Sequence, residues 1–230
     1  MEMARRFFIF VFLFGSISAY AQEDINQVDA QGKRHGVWKK YFEGSKQLRY
    51  EGTFEHGKEV GIFKFYCETC KDQPMVVKDF SAKDNTATVT YFTEKGKKVS
   101  EGRMDGKLRI DEWVFFHKAS EAVMSKEHYR EGSLHGKKIT YYPNGQITET
   151  LTYEMGSREG ENLYYSPDGV LLKKLIYYHD ELHGPATYYD AGGNVVIEGH
   201  YKEGKKHGLW KYYKNGEIEL EERYPKPTKG

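Results

Sequence analysis

A phrase of about 24 residues that recurs along the chain constrains its fold more than any other feature. "GKRHGVWKKYFEGS" begins at Gly32, and "GKKHGLWKYYKNGE" begins at Gly204, close to the other end of the 230 residues. A fixed period of this length predicts a repeat architecture, in which each unit is one supersecondary element. Eight pairs of adjacent aromatic residues mark the units: Tyr41-Phe42, Phe65-Tyr66, Tyr91-Phe92, Phe115-Phe116, Tyr141-Tyr142, Tyr164-Tyr165, Tyr188-Tyr189 and Tyr212-Tyr213.

Each unit has the pattern of a β-hairpin. A glycine pair such as Gly204 and Gly208 opens the first segment, and a turn dipeptide such as Asn215-Gly216 separates it from the second. Such dipeptides tolerate positive φ and are strong hairpin signals between apolar runs. The second segment of the last unit, "EIELEERY", alternates acidic and apolar residues at its start. A period of two is typical of a strand.

Eight hairpins in series predict an all-β fold over residues 32–224, an elongated and twisted antiparallel β-meander that is largely single-layer. Short turns at both edges force each strand to pair with its neighbours in sequence. The aromatic pairs would place one ring on each face, where each cross-strand pair adds roughly 0.2–1 kcal/mol. A two-layer sandwich is the alternative, and it would require more Val, Ile and Leu on its inner faces than the sequence supplies.

The first 21 residues have the pattern of a secretory signal peptide. Arg5 and Arg6 precede the apolar run "FFIFVFLFG", and the small-residue segment "AYA" ends at Ala21. This order predicts cleavage between Ala21 and Gln22. A membrane anchor is the alternative, but the run is far shorter than the ~20 residues that a spanning helix needs, and no later run is longer. The predicted mature protein is exported, to the periplasm or beyond the bacterial cell envelope, with a flexible segment at 22–31 and a tail at 225–230.

Charge argues against a nucleic-acid partner. Removing residues 1–21 takes away Glu2, Arg5 and Arg6, which leaves equal numbers of acidic and basic residues. Proteins that bind nucleic acid instead carry a clustered basic face. Aromatic residues make up 15% of the chain and include 19 Tyr, so the composition favours many small aromatic contacts over one thick core.

Four histidines hold the same position of the repeat, just before the strand-opening glycine. Equivalent positions of adjacent repeats lie two strands apart, roughly 9–10 Å. This separation is too large for one zinc ion with ligand bonds near 2.1 Å. We therefore interpret the histidines as structural side chains that hydrogen-bond turn backbone, rather than as a metal site. They are His35, His135, His183 and His207.

Cys67 and Cys70, in "FYCETCKD", lie where other repeats place a hairpin turn. In an exported protein the pair is predicted to form a local disulfide that fixes this turn. A zinc site is an alternative, although C-x-x-C supplies two of the four ligands. A thioredoxin-like redox role is another, although it is typical of a βαβ setting.

The fifth to eighth repeats are the most regular, and their aromatic residues are candidates for contact with a partner. We predict that binding is spread along one sheet face, because aromatic residues dominate interface hot spots. The alternative is that these rings, like Trp38 and Trp113, serve to hold the sheet together. The predicted anchors are Tyr141, Tyr164, Tyr188, Tyr212 and Trp210.

No catalytic constellation stands out in the sequence. It has no nucleophile elbow, no phosphate-binding loop and no paired zinc motif. We therefore expect a protein without enzymatic activity and without a cofactor.

The repeated phrases, together with "GSLHGKKITYYPNGQ" at residues 132–146, resemble MORN repeats, specifically a bacterial variant described as an antitoxin component of toxin–antitoxin systems. Repeats 2–4 depart from the pattern, with Ala87 and Asp111 at two strand openings where other units have glycine. The resemblance implies an elongated antiparallel sheet and a scaffold that binds a protein partner, in an antitoxin-like or immunity-like role. "GLWKYYKNGE" also resembles the hairpin repeats of choline- and glucan-binding modules, so a cell-wall glycan binder is the alternative function.

Overall fold

The computed structural model describes residues 24–81 and 83–226, and the regular structure within them consists of strands. The strands are β1 Gln27–Val28, β2 Arg34–Tyr41, β3 Leu48–Glu55, β4 Lys58–Phe65, β5 Val76–Phe80, β6 Thr86–Phe92, β7 Lys98–Asp105, β8 Leu108–Phe116, β9 Val123–Arg130, β10 Ser133–Tyr141, β11 Ile147–Glu154, β12 Ser157–Tyr165, β13 Leu171–Tyr178, β14 Glu181–Leu182, β15 Gly184–Tyr189, β16 Val195–Lys202, β17 Lys205–Lys214 and β18 Glu217–Tyr224.

The strands form one open antiparallel sheet in the order of the sequence, which confirms the predicted elongated β-meander. Between the outermost strands β1 and β18, strands pair with the strand before and the strand after, as β11 does with β10 and β12. β14 and β15 share one partner, β13, so they act as two halves of a single strand. Strands contact chiefly their neighbours in sequence, and side chains are therefore buried by other side chains on the same face.

Two kinds of turn alternate along the meander. Two residues with positive φ join strands at one edge, as in Glu131-Gly132 with φ of +50° and +83°. At the other edge a longer loop is closed by backbone hydrogen bonds, such as the one that Tyr142 N donates to Gln146 O at 2.8 Å. Asn215-Gly216 is a two-residue turn, whereas the corresponding dipeptides of other repeats lie inside these longer loops.

A bulge interrupts strand pairing at the strand-opening glycine. Gly136 and Gly160 have φ of +96° and +74°, and the pairing register shifts at each of them. Asp111 adopts the same conformation with φ of +57°, and the fourth repeat keeps the bulge. Ala87 pairs regularly with Met104 on one side, and the third repeat lacks the bulge. The two departures from the sequence pattern therefore have opposite structural consequences.

The two faces of the sheet differ in chemistry. One face, here called the ring face, carries the buried aromatic and aliphatic side chains. The opposite face, here called the charged face, carries cross-strand ion pairs such as Lys174–Glu161 at 2.6 Å. Two clusters are buried on the ring face, and they comprise Ala87, Val89 and Trp113 in the first and Leu175, Ala186 and Trp210 in the second.

The segment at 22–31 is predicted from the sequence to be flexible, but residues 24–31 cover the outer edge of β2. Asn26 donates its backbone N–H to Val37 O at 2.8 Å, and Trp38 donates Nε1 to Gln27 O at 2.9 Å. β1 pairs with the start of β2. The physical reason is that the backbone groups of an edge strand need hydrogen-bond partners, and this segment supplies them.

The predicted signal peptide and its cleavage site between Ala21 and Gln22 lie outside the described residues, as do residues 227–230 of the predicted tail. No helix within the described ranges has the length and apolar character that crossing a bilayer requires.

Candidate functional site

Large rings of the ring face are buried against glycines of the preceding strand. Trp113 and Trp210 are 0% and 1% exposed. A Cβ atom added at Gly102 or Gly199 would come closer than 3.0 Å to the indole. Each indole also donates Nε1 to a backbone carbonyl, Trp113 to Arg103 O at 2.9 Å and Trp210 to His200 O at 3.1 Å.

These glycine positions, together with Gly52 beneath Phe63, are here called ring slots. They are not among the features predicted from the sequence, although a signal exists. Each slot glycine follows a glutamate and precedes its ring by eleven residues. The pairs are Gly52 and Phe63, Gly102 and Trp113, and Gly199 and Trp210.

Where the fourth repeat meets the fifth, the slot position holds a carboxylate instead of glycine. Glu127 is 8% exposed, and Lys138 occupies the place of the ring with Nζ 3.0 Å from Glu127 Oε1. Tyr129 donates its hydroxyl to Glu127 Oε2 at 2.7 Å. Burial acts to raise the pKa of Glu127, but hydrogen bonds from Tyr129 and Lys138 outweigh it and hold that pKa below its usual range. Where the fifth repeat meets the sixth, Leu151 pairs with Asn162 at the same two positions.

Basic side chains lie over the rings of this face. Three of them, Arg34, Arg109 and Lys206, each come four residues before a tryptophan. Arg34 Cζ is 5.0 Å from the ring of Trp38. Arg109 Cζ lies 4.6, 5.4 and 5.4 Å from the ring centroids of Trp113, Phe115 and Tyr129. Lys206 Nζ lies 4.2, 5.4 and 5.2 Å from the ring centroids of Trp210, Tyr212 and Tyr224.

Three of the predicted anchors, Tyr164, Tyr188 and Tyr212, lie in equivalent registers on the ring face and are half-buried. Tyr188 shares a hydrogen bond of 3.1 Å with the hydroxyl of Tyr201. Burial and then this hydrogen bond raise the pKa of Tyr188, so its phenol stays protonated and able to donate. Trp210 lies beneath this row, so a partner would reach the tyrosines rather than the indole.

Tyr141, the remaining predicted anchor, does not join this row. Thr140, which pairs with Glu149, occupies the position that Tyr164 occupies in the next repeat. Tyr141 comes after a second bulge, near the end of the strand, and therefore corresponds to Tyr165. The ring after this bulge lies on the charged face, as the hydrogen bond of 2.7 Å from Tyr213 to Glu198 shows for the last repeat. The row of tyrosines on the ring face therefore begins at Tyr164.

The charged face is a network of exposed ion pairs. Lys39 and Lys64 both approach the Glu51 carboxylate, at 3.7 and 3.8 Å. Tyr66 donates its hydroxyl to the same carboxylate at 2.8 Å. Burial and this hydrogen bond raise the pKa of Tyr66 to about 12. Exposed pairs of this kind contribute roughly 0–1 kcal/mol each, so the face is a solvated surface rather than a second core.

The four equivalent histidines have different surroundings. His35 contacts the ring of His56 with centroids 5.0 Å apart, and His135 Nδ1 is 3.5 Å from Glu154 Oε1. His207 pairs across the strands with a fifth histidine, His200. Within the described residues none of the four side chains hydrogen-bonds turn backbone, which corrects that part of the interpretation, and His135 Nδ1 has no hydrogen-bond partner there. None of them belongs to a grouping of three metal-binding side chains there.

Cys67 and Cys70 are joined by a disulfide in the loop between β4 and β5. The Glu94 carboxylate, from the loop between β6 and β7, lies within 4.8 Å of both sulfur atoms. A bridged sulfur is not a thiolate, and thiolates are the form in which cysteine binds zinc. In this state the three residues do not offer the donor set of a zinc site.

A family model described as a MORN repeat variant matches three consecutive stretches of the chain, at residues 134–155, 158–180 and 182–203. These stretches contain β10–β16 and therefore most of the tyrosine row. No curated protein matches the chain.

Proposed function

Because three consecutive repeats match the model of a MORN repeat variant, we propose that the chain is an exported, non-enzymatic scaffold that binds a protein partner along the ring face. The observation that carries this proposal is the row formed by Tyr164, Tyr188 and Tyr212. Export is proposed from the pattern of residues 1–21, and an immunity-like role would then concern an exported partner.

The spacing of the row suits an extended partner surface. Equivalent tyrosines lie two strands apart, roughly 9–10 Å, so three of them span about 20 Å. A specific protein interface needs about 800 Å² on each partner, which is more than one short hairpin offers. Several adjacent repeats would therefore contribute together, with the half-buried rings as anchors and their hydroxyls as hydrogen-bond donors.

A protein partner fits this face better than a choline-type ligand. Quaternary ammonium ligands are recognised by cages of aromatic rings. Here the comparable arrangement of Trp210, Tyr212 and Tyr224 already surrounds the ammonium of Lys206. A cationic ligand would have to displace this side chain, which disfavours the glycan-module alternative for choline-bearing glycans.

Affinity capture from the bacterial envelope tests the proposal, with the full mature chain as bait. We expect the triple variant Tyr164→Ser, Tyr188→Ser, Tyr212→Ser to lose at least tenfold in affinity for the captured protein. The matched control on the charged face, Tyr165→Ser, Tyr189→Ser, Tyr213→Ser, should bind as the unchanged chain does. Far-ultraviolet circular dichroism checks that both variants keep their strand content.

Two outcomes would overturn the proposal. Equal losses in both triple variants would mean that binding does not depend on the ring face. A purified wall polysaccharide that binds, with no protein captured, would favour the glycan alternative. Export is tested separately by the intact mass of the protein from its native host, where residues 1–21 should be missing.

A further inference from the structure

We propose that the outer edge of β18 is a docking site for an extended polypeptide strand that presents a lysine to Glu222. This edge adjoins the tyrosine row, because Tyr212 donates its hydroxyl to Glu222 Oε2 at 3.2 Å, but the inference does not depend on the proposed function. It rests on an open edge, on an internal duplicate of the hairpin that forms it, and on the charge of the strand.

The two ends of the sheet are finished differently. Residues 24–31 cover the outer edge of β2 with backbone and side-chain hydrogen bonds. β18 pairs with β17 on its inner side, and within residues 24–81 and 83–226 no strand pairs with its outer side. Its outward backbone groups are unpaired within these residues, and an edge of this kind can act as a template for an added strand.

The hairpin β17–β18 repeats the arrangement of the hairpin β8–β9 at five positions of the ring face, although Leu220 stands where β9 has Ser125. Each has a tryptophan over a slot glycine, a cation over three rings, and a tyrosine that donates its hydroxyl to a glutamate. That hydrogen bond is 2.7 Å in β9 and 2.6 Å in β18. The matched residues, with β8–β9 first, are Trp113 and Trp210, Arg109 and Lys206, Phe115 and Tyr212, Glu127 and Glu222, and Tyr129 and Tyr224.

The two hairpins differ in the segment that comes after each of them. β9 pairs with β10, which places Lys138 directly opposite Glu127 with Nζ 3.0 Å from Oε1. After β18 the chain leaves the sheet, and Lys226 returns to Glu222 with Nζ 2.7 Å from Oε1. Lys226 therefore pairs with the Glu222 carboxylate in place of a lysine from a neighbouring strand. An added strand that carries a lysine at the position of Lys138 would displace Lys226 from Glu222.

The composition of β18 sets the character of the partner. Its eight residues include four glutamates and one arginine, and Ile218 and Leu220 are 49% and 50% exposed. An added antiparallel strand that suits this edge has lysine opposite Glu222, further basic residues beside the other glutamates, and apolar residues between them. Such β-strand addition draws affinity from main-chain hydrogen bonds and specificity from alternate side chains.

A second copy of this chain does not meet these requirements. A second copy offers two outer strands: β2, which residues 24–31 cover, and β18, whose four glutamates would face the four glutamates of the first copy. At the repeat position that Lys138 occupies in β10, β2 carries Trp38 instead. The other tryptophans at this position, Trp113 and Trp210, pack against glycine, whereas β18 would present Glu222. The mismatch disfavours head-to-tail association, which would otherwise extend without limit.

The test uses the full mature chain and a synthetic peptide, SLHGKKITYY, which has the sequence of residues 133–142. We expect the peptide to protect the amides of β18 from hydrogen exchange. Substituting the lysine that corresponds to Lys138 by glutamate should weaken binding about tenfold, because a buried charge pair becomes a repulsion. The reciprocal pair, chain Glu222→Lys with that substituted peptide, should restore binding.

Two chain variants distinguish docking from a general loss of structure. Glu222→Gln should weaken binding of the original peptide about tenfold. Lys226→Ala should strengthen it roughly threefold, because the competing ammonium is removed. Opposite effects at one site are not expected from unfolding. Absence of β18 protection in the Lys226→Ala variant at millimolar peptide, or equal binding by Glu222→Gln, would overturn the proposal.

Discussion

Three glycines each allow this sheet to bury a large ring without a second layer. Glycine in a strand interior weakens the strand, and it often marks a place where another group approaches the backbone closely. Gly102 and Gly199 follow this rule, because the indoles of Trp113 and Trp210 occupy the space that a side chain would fill. The stabilising unit of the ring face is therefore a glycine and a ring from adjacent strands, rather than the aromatic pair alone.

Replacing Gly102 by Ala should lower the free energy of unfolding by about 1–3 kcal/mol, because the added methyl overlaps Trp113 in a packed site. Urea denaturation followed by circular dichroism measures this loss. Gly192→Ala is the matched control, since Gly192 is exposed in a turn and its added Cβ would meet polar side-chain atoms of Asp190 and Asn194. Equal losses for the two variants would contradict the ring-slot interpretation.

Glu127 should make part of the stability pH-dependent. Its folded-state pKa is held below the unfolded value by hydrogen bonds from Tyr129 and Lys138, despite burial. A lowered carboxyl pKa contributes stability above the ordinary carboxyl range, and this contribution is lost as pH falls through the folded-state pKa. Glu127→Gln should therefore cost about 1–3 kcal/mol at pH 7 and less at pH 3.

Urea titrations at pH 7 and pH 3 provide the measurement. Glu112→Gln is the control, because Glu112 is an exposed carboxylate 3.8 Å from Lys126. It should change stability by less than about 1 kcal/mol at both pH values. A Glu127→Gln loss that is the same at pH 3 and pH 7 would contradict the charge pair as its cause.

Among the strands, substitutions at the bulge position should change stability in opposite directions in different repeats. Gly136→Ala should destabilise by roughly 1–3 kcal/mol, because alanine at φ of +96° is strained. Asp111→Gly should stabilise by about 0.5–1 kcal/mol, since glycine relieves φ of +57° and the Arg103–Asp111 pair that is lost is exposed. Ala87→Gly should destabilise by about 0.5–1 kcal/mol, because Ala87 is buried in regular pairing.

Thermal and urea unfolding of the three variants gives these values directly. Stabilisation by Ala87→Gly would mean that the third repeat also favours a bulge, contrary to its regular register. A loss on Asp111→Gly would mean that the ion pair with Arg103 matters more than the backbone conformation.

Elements could be predicted from the sequence because their signals are local. The alternation of "EIELEERY" and the position of Asn215-Gly216 define the last hairpin without knowledge of its neighbours. The face of a given ring depends on register, and a shift of one residue reverses it. The aromatic pair of the fifth repeat begins three residues after Lys138, whereas that of the sixth begins two after Asn162, so Tyr141 and Tyr164 lie on opposite faces.

Contacts between strands could not be predicted from the sequence in the same way. The ring slots, the cations over rings and the Glu127–Lys138 pair each join residues of adjacent strands. The spacing of eleven residues from slot to ring and of four residues from cation to tryptophan can be read in the sequence. These spacings predict a contact when the bulge has fixed which residues of adjacent strands face each other. The cover over β2 escaped prediction for a related reason, since residues 24–31 carry no repeat signal.

At the scale of the whole molecule, the ring face is divided. The first buried cluster centres on Trp113 and the second on Trp210, and the charged slot of Glu127 and Lys138 lies between them. In a meander each hairpin contacts its neighbours, so stability is approximately a sum of local terms. A polar pair between two apolar clusters weakens their coupling, which favours two cooperative units in one continuous sheet.

Hydrogen exchange should reveal these two units. Leu175→Ala removes part of the second cluster and should cost about 2–4 kcal/mol locally. We expect the amides of β15–β17 to exchange faster, while those of β6–β8 keep their protection. Val89→Ala is the reciprocal variant, because Val89 belongs to the first cluster, and it should have the opposite pattern. If either substitution lowers protection equally along the whole sheet, the meander unfolds as one unit, and the charged slot is then a continuous part of the core rather than a boundary within it.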